Sequence, residues 1–387
     1  SRAALTMGQY PHCCGMVGLG NRGIHINDPK QHLAHTLKKA GYATIGSDNH
    51  LGIRNIKATP KDLGYEQDLP WGETDQAVEY IRSKPSKPFF MSLSYGMTHR
   101  KSRGFATEPD TGNDDPRYTL PPAPLADTPE IRADWAHFLS DCHALDAAYG
   151  RILDALDETG LTDDTLVIVT TDHGPPFPGM KCNVTTHGTG VALIMRGPGG
   201  FRGGKVVDAL VSQIDIYPTL CNLVGIDLPD WLQGHSVQPL VKEKPDAQIH
   251  DQVFAEVSYH AAYEPMRALR TPRYAYVRRF GNRLRPVLPN CDASPTKDAW
   301  LTRGYAEKPH DEEMLFDTFY DPNEMNNLAW HPRYEHLLDE MRARLDRWMT
   351  DTEDPLLQSD KVRMPPSGWE SLQEVWHPDQ TPRQGLG

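Results

Sequence analysis

Asp172 and His173 follow the apolar run Leu166 to Val169 and open the segment TTDHGPPFPGMK. The apolar run reads as a buried strand. Pro175, Pro176 and Pro178, with Gly174 and Gly179, disfavour helix and strand in the rest of the segment. A carboxylate and an imidazole delivered together at a strand end are candidate ligands for a divalent cation. Lys181, at the end of the segment, offers a point positive charge for an anion. The alternative is an aspartate that caps a turn and a histidine satisfied by backbone.

His50, in NHLG, and His99, in GMTHR, also follow predicted strands. Either could act as a general acid or as a hydrogen-bond donor to a charged transition state. A cation, two histidines, Lys181 and Arg2 together suit a tetrahedral oxyanion, sulfate or phosphate. None of these segments supplies a nucleophile. A second basic feature is MRALRTPRYAYVRRFGNRLRP, which holds Arg267, Arg270, Arg273, Arg278, Arg279, Arg283 and Arg285. It reads either as the solvated face of a two-stranded ribbon or as a rim for an anionic sugar. His260, ending VFAEVSYH, could join that rim, and Arg100 adds a charge beside His99.

The elements that must position these residues alternate. Helices are expected at 3–7, 31–40, 74–82, 131–158 and 214–224. Strands are expected at 42–45, in PFFMSLSYG, in LVIVTT and in VALIMR. This order predicts an α/β fold, a mostly parallel sheet with helices on both faces. Ligands of such sheets gather beyond the carboxyl ends of the strands, where Asn49–Gly52, Gly96–Arg100 and Asp172–His173 all fall. The proline-rich stretch 101–129 reads as a substrate-facing excursion. After about Gln248 the pattern changes. VFAEVSYH, YAYVRRF and EMLFDTFYD read as short antiparallel strands, and a helix over 333–350 carries an apolar stripe of Tyr334, Leu337, Leu338, Met341, Leu345, Trp348 and Met349. The expected division is a large α/β domain over 1–246 and a small C-terminal α+β subdomain over 247–387.

Composition narrows the function classes. The chain has 387 residues, of which 38% are hydrophobic and 24% charged, ordinary for a globular protein. A net charge of -12 gives no general attraction for nucleic acid or an anionic membrane. No apolar run reaches the roughly 18 residues a membrane span needs. The six cysteines show no CxxC zinc spacing. Ser1 begins without an initiator Met or signal peptide, in what looks like the middle of an element, so a fragment or processed chain is expected.

Together these residues resemble the sulfatase family, of the alkaline phosphatase superfamily. SRAALTMGQYP looks like the second half of its signature C-x-P-S-R-x-x-x-L-T-G-x-x-P, with Thr6-Met7 where the signature has L-T. TTDHG resembles the second metal-binding segment, Lys181 the sulfate-binding base, VALIMRGPG the strand downstream of it, and PFFMSLSYGMTHR the strand leading to the active-site histidine. The resemblance spans nearly the whole chain and implies a sulfohydrolase for a sulfated sugar of N-sulfoglucosamine type. It implies one Ca2+ held in part by Asp172 and His173. It also implies a formylglycine nucleophile, made from a Cys or Ser three residues before Ser1 by a formylglycine-generating enzyme, and hence no turnover by this chain alone. Arg2, His50, His99 and Lys181 take catalytic roles, and Arg100, Lys181 and His260 contact substrate. An extracytoplasmic location is implied, and a homodimer is compatible. Where sulfatases have G-K-x-H-x-G, this chain has GSDNHLG, so Lys101, Arg100 or Lys57 would have to replace the lysine. Two rival readings remain: a phosphonate or phosphodiester hydrolase of the same superfamily, and a silent carbohydrate-binding relative.

Overall fold

A computed structural model describes residues 1–107, 114–242, 247–281, 283–359, 361–366 and 368. In chain order, the first part contains α1 (Arg2–Met7), α2 (Pro11–Cys14), α3 (Leu33–Lys39), β1 (Ala43–Ile45), α4 (Thr74–Arg82) and β2 (Phe89–Met91). Then come α5 (Pro129–Thr159), β3 (Val167–Thr170), α6 (Thr186–Thr189), β4 (Leu193–Arg196), α7 (Ile216–Val224) and α8 (Gln238–Lys242). The last part contains β5 (Val253–Tyr259), β6 (Tyr263–Arg270), β7 (Tyr274–Arg279), α9 (Pro295–Leu301), β8 (Glu313–Asp317) and α10 (Glu335–Asp351).

Helices cover the early strands on both faces. On one face, Val78 and Ile81 of α4 and Ala155 and Leu156 of α5 pack with Phe89, Met91 and Val167. On the other, Tyr217 and Cys221 of α7 pack with Phe90, and Leu223 joins Leu166 and Met195. The 31-residue α5 begins with Pro129 at its first position and ends on Gly160 in the left-handed region, φ 75°.

β1 and β2 pair in parallel, as expected, with Ala43 opposite Phe89. β3 and β4 do not: they are antiparallel, with Val167 opposite Arg196 and Thr170 opposite Leu193. A parallel return needs a crossover, usually a helix, long enough to carry the chain back along the strand. Between β3 and β4 there is only the four-residue α6. The chain therefore loops out at the carboxyl end of β3 and comes back at the same edge.

The C-terminal part is a four-stranded antiparallel sheet in the order β5-β6-β7-β8. β6 was expected only as one arm of a possible two-stranded ribbon with a solvated face, because Pro265 and the charges of this segment mask its alternation. It is buried along nearly its whole length. The apolar stripe of α10 lies on this sheet, with Leu338, Met341, Leu345, Trp348 and Met349 against Leu269, Tyr276 and Leu315. Trp348 stacks on Phe254 of β5 with centroids 4.7 Å apart. α9 was not foreseen; Ser294 caps it by accepting from the Lys297 N–H, and Pro295 starts it. Residues 108–113 of the proline-rich stretch lie outside the described residues, as do 243–246 and most of the chain beyond 366.

Candidate functional site

One cavity collects Arg2, His50, His99, Asp172, His173, Lys181 and His260. The loop after β3 delivers three of them. Gly174 allows its close path, because a Cβ there would lie 1.9 Å from the His187 carbonyl oxygen. Its N–H donates to Gly188 O at 2.9 Å, which ties the start of the loop to its return.

His173 Nδ1 lies 2.7 Å from Gly174 O. A carbonyl only accepts, so Nδ1 carries the proton and Nε2 keeps its lone pair, 3.6 Å from Asp172 Oδ1. This arrangement, with the outer nitrogen fixed by backbone, is common among metal-ligating histidines. Burial pushes the His173 imidazole below its ordinary value, Lys181 adds to this, and Asp172 opposes it. Burial works against the charge of Asp172, but His173 and Arg2 oppose it, and its carboxyl lies below the usual range. Arg2 Nε is 3.4 Å from Asp172 Oδ2, and the Arg2 guanidinium lies over the Trp71 ring at 4.9 Å. Asp172 and His173 thus offer one anionic oxygen and one neutral nitrogen, a fit for part of a divalent cation's coordination. Among the described residues the only trio of such side chains within reach of one another is elsewhere, at His12, Glu256 and Asp354.

His99 is fixed in the same way as His173. Its Nδ1 lies 2.8 Å from Arg100 O and donates to it, which leaves Nε2 as the ring nitrogen not held by the backbone. Thr98 before it holds φ 70°, a conformation a β-branched residue rarely adopts. Asp141 of α5 pins this loop by accepting the N–H groups of Thr98 at 3.1 Å and Thr107 at 2.7 Å.

Asp48, in the place where the resemblance expects a lysine nearby, is buried. Its carboxylate accepts the Tyr65 hydroxyl and lies 3.2 Å from His32 Nε2 and 3.7 Å from His50 Nε2. His32 Nδ1 accepts the Ala34 N–H, so its Nε2 bears the proton that faces Asp48. The acid has therefore turned inward, onto donors. Burial pushes His50 down to about 4; Asp48 opposes this and Arg2 reinforces it.

Arg100 does not reach the cavity, which corrects its expected contact with substrate. It is 5% exposed and pairs bidentately with Asp134 of α5, both contacts at 2.8 Å. Its Nε donates to Pro176 O at 2.8 Å, and its guanidinium is 4.5 Å from the ring centroids of both Phe105 and Phe177. Of the three cations weighed as replacements for the lysine, only Lys101 lines the cavity. Of the arginine-rich stretch only Arg270 lines the cavity, and it too is paired. Arg267 pairs with Asp354 and Glu256, Arg270 with Glu324, Arg273 with Asp317, Arg278 with Asp346, Arg279 with Glu264 and Arg285 with Glu307. These partners lie 11 to 87 residues away in sequence, so no local pattern announced them.

Two cavity residues were missed by sequence reasoning. Trp71 lies 6.2 Å from His50 between ring centroids and is 45% exposed. Asp292, in NCDASP, accepts Lys181 Nζ at 2.9 Å. Neither sits in a motif; a lone tryptophan beside Pro70 and a lone aspartate in a loop carry no signal.

The fold is α/β, its cavity gathers cationic, imidazole and carboxylate side chains, and comparison with known proteins gives its family. The family model described as Sulfatase matches residues 1–226, and that described as N-sulphoglucosamine sulphohydrolase, C-terminal, matches residues 182–285. The chain belongs to the sulfatase family. It is similar to human N-sulphoglucosamine sulphohydrolase, 28% identical over 411 residues that cover 92% of this chain and 81% of that protein. It is also similar to the Delta 4,5-hexuronate-2-O-sulfatase of Bacteroides thetaiotaomicron, 26% identical over 413 residues, covering 92% and 79%. A solved protein in complex with its substrate, D-glucosamine-2-N,6-O-disulfate, shares the fold with a TM-score of 0.67 at 17% identity, covering 91% of this chain and 88% of that one. No helix among the described residues is long and apolar enough to cross a membrane.

Proposed function

We propose that the protein is a sulfohydrolase for a sulfated sugar of N-sulfoglucosamine type. The observation that carries this reading is the meeting of Lys181, His99, His50, Arg2 and the Asp172–His173 pair on one cavity, in a chain whose C-terminal part matches the N-sulphoglucosamine sulphohydrolase model. The human relative and the glucosamine disulfate complex support the sugar class.

Asp172 and His173 would hold Ca2+, which supplies positive charge opposite the sulfate oxygens. A formylglycine would supply the nucleophile as its hydrated aldehyde. Lys181 holds a sulfate oxygen. Arg2 lies at the nucleophile side, on the first helix, and neutralises charge there. His50, neutral, accepts or donates a hydrogen bond to the nucleophile's hydroxyl. His99, with its Nε2 lone pair set by Arg100 O, handles the proton at the leaving group once it is protonated. His260 lines the sugar side, and Lys101 is the cation nearest in role to the absent lysine. An extracytoplasmic location fits this reading.

The test is turnover of N-sulfoglucosamine by protein that carries the formylglycine residue of the signature, made with a formylglycine-generating enzyme and supplied with Ca2+. Release of sulfate that Lys181→Ala abolishes is expected. Hydrolysis of a phosphonate monoester in preference to every sulfated sugar would overturn the reading.

A further inference from the structure

Lys181 is the cation placed to hold an anion, yet its ammonium already rests on a carboxylate, Asp292 Oδ2, at 2.9 Å. A carboxylate at that position repels a sulfo group unless it meets a donor on the same ligand. The two side chains are unequally exposed: Lys181 is 6% accessible and Asp292 is 23%. Oδ1 of Asp292 makes no hydrogen bond to any described residue, and Asp292 lines the cavity beside His260. His260 Nδ1 is itself buried with no partner. The loop that carries Asp292 is held rigidly. Lys297 Nζ donates to Leu288 O at 2.6 Å and to Cys291 O at 2.7 Å, and Thr296 donates to Asp134. A free acceptor on a rigid support, next to the anion-binding ammonium, is an arrangement built for a donor near the sulfur.

We propose that Asp292 is a specificity residue whose carboxylate accepts the bridging N–H of a sulfamate and so selects an N-sulfo group over an O-sulfo group. The inference rests on the sulfohydrolase reading of the site. With a sulfo oxygen on Lys181, the atom joining sulfur to the sugar is the nearest candidate for Asp292. In a sulfamate that atom carries a hydrogen; in a sulfate ester it is an oxygen without one. The reaction has the same sense: R–NH–SO3⁻ + H2O gives R–NH3⁺ + SO4²⁻. The N–S bond breaks, water oxygen bonds to sulfur, and both protons of water end on nitrogen. Positive charge thus develops beside the carboxylate, which binds the transition state better than the substrate.

The experiment compares N-sulfoglucosamine with glucose 2-sulfate, which differs only in the bridging atom. In Asp292→Ala, kcat/KM for the N-sulfo substrate should fall about ten- to a hundredfold more than for the O-sulfo one. Asp292→Asn, which keeps a neutral acceptor, should fall between. Retained binding of inorganic sulfate by each variant shows that the pocket is intact, and if the alanine variant does not fold the asparagine variant decides. Equal losses on the two substrates, as expected if Asp292 only neutralises Lys181 or holds a sugar hydroxyl, overturn the proposal and leave the sulfohydrolase reading standing. Failure of the wild-type protein, with its formylglycine in place, to hydrolyse either overturns both.

Discussion

The guanidinium of Arg100 and the carboxylate of Asp134 face each other edge to edge, with both nitrogen–oxygen contacts at 2.8 Å. Four segments meet at this pair: the His99 loop, α5, the Asp172–Lys181 loop through Pro176 O, and the start of α9 through Thr296. Removing one partner of such a buried pair leaves the other charged and unsolvated, which costs about 3–5 kcal/mol. Arg100→Ala should therefore lower stability by that amount, read from denaturant unfolding. It should also reduce activity on a sugar sulfate and on a small aryl sulfate alike. A selective loss on the sugar, with stability unchanged, would restore a direct substrate contact.

Calcium should stabilise the protein through Asp172 and His173. At a hundredfold excess over Kd the gain is about 2.7 kcal/mol, seen as a rise in Tm that magnesium at equal concentration does not match. Asp172→Asn and His173→Ala should each remove most of it. A rise that survives both substitutions would place the ion elsewhere.

His12 should govern the alkaline limb of stability. Its Nδ1 lies 2.8 Å from Glu256 Oε1 and its Nε2 3.2 Å from Thr352 O. Both partners accept, so both nitrogens carry protons. Burial alone would lower the value, but the Glu256 carboxylate overrides it and raises His12 to about 10. A raised value means the contribution is complete below the ordinary value of about 6.5 and is lost as pH climbs through about 10. Burial likewise opposes the charge of Glu256, but His12 and Arg267 outweigh it, and the carboxyl is held at about 2. Its contribution is complete above the ordinary carboxylate value of about 4.3 and is lost as pH falls through 2. In His12→Gln, the decline between pH 6.5 and 10 should flatten by on the order of a few kcal/mol. An unchanged alkaline slope in that variant would show His12 to be neutral.

His50 should titrate in the opposite sense. Pushed down to about 4, chiefly by burial, it stays neutral at pH 6. The unfolded chain takes up the proton first, so stability is lost as pH falls from about 6.5 toward 4. Imidazole NMR, assigned with His50→Gln, should show its midpoint near 4. Asp48→Asn should lower that midpoint further, because the carboxylate favours the charged ring. A midpoint that rises in Asp48→Asn would reverse the sense of the coupling.

The parts of this molecule that were legible in sequence are those encoded locally. Helix α4 ran from Thr74 to Arg82 as its periodicity required, and the stripe on α10 from Leu338 to Met349 fell on the sheet it covers. The loop that carries Asp172, His173 and Lys181 could be read because prolines and glycines interrupt an apolar run. The features that could not be read depend on partners distant in the chain. Arg100 looked like a free charge beside a histidine until Asp134 met it from 34 residues away. Arg267 looked like part of a basic rim, but Asp354, 87 residues on, takes it into the core. Asp292 gained its place only through Lys181, 111 residues before it. Sequence names the charges, while the fold alone decides which are spent on one another.

The antiparallel pairing of β3 with β4 has a consequence for how such a site can change. The chain leaves the sheet after Thr170 and re-enters it at Leu193, two residues that lie opposite each other. Everything between them, including Asp172, Lys181 and the turn at Gly174, is a detour with both feet on one spot. Residues can be added to or removed from the outer part of such a detour without sliding either strand, because closing a longer loop costs only slowly more. Had the strands run parallel, each change of length would have had to be absorbed by a crossover spanning the sheet. The part of the chain that meets the ligand is thus free to vary in size while the framework that aims it keeps its register.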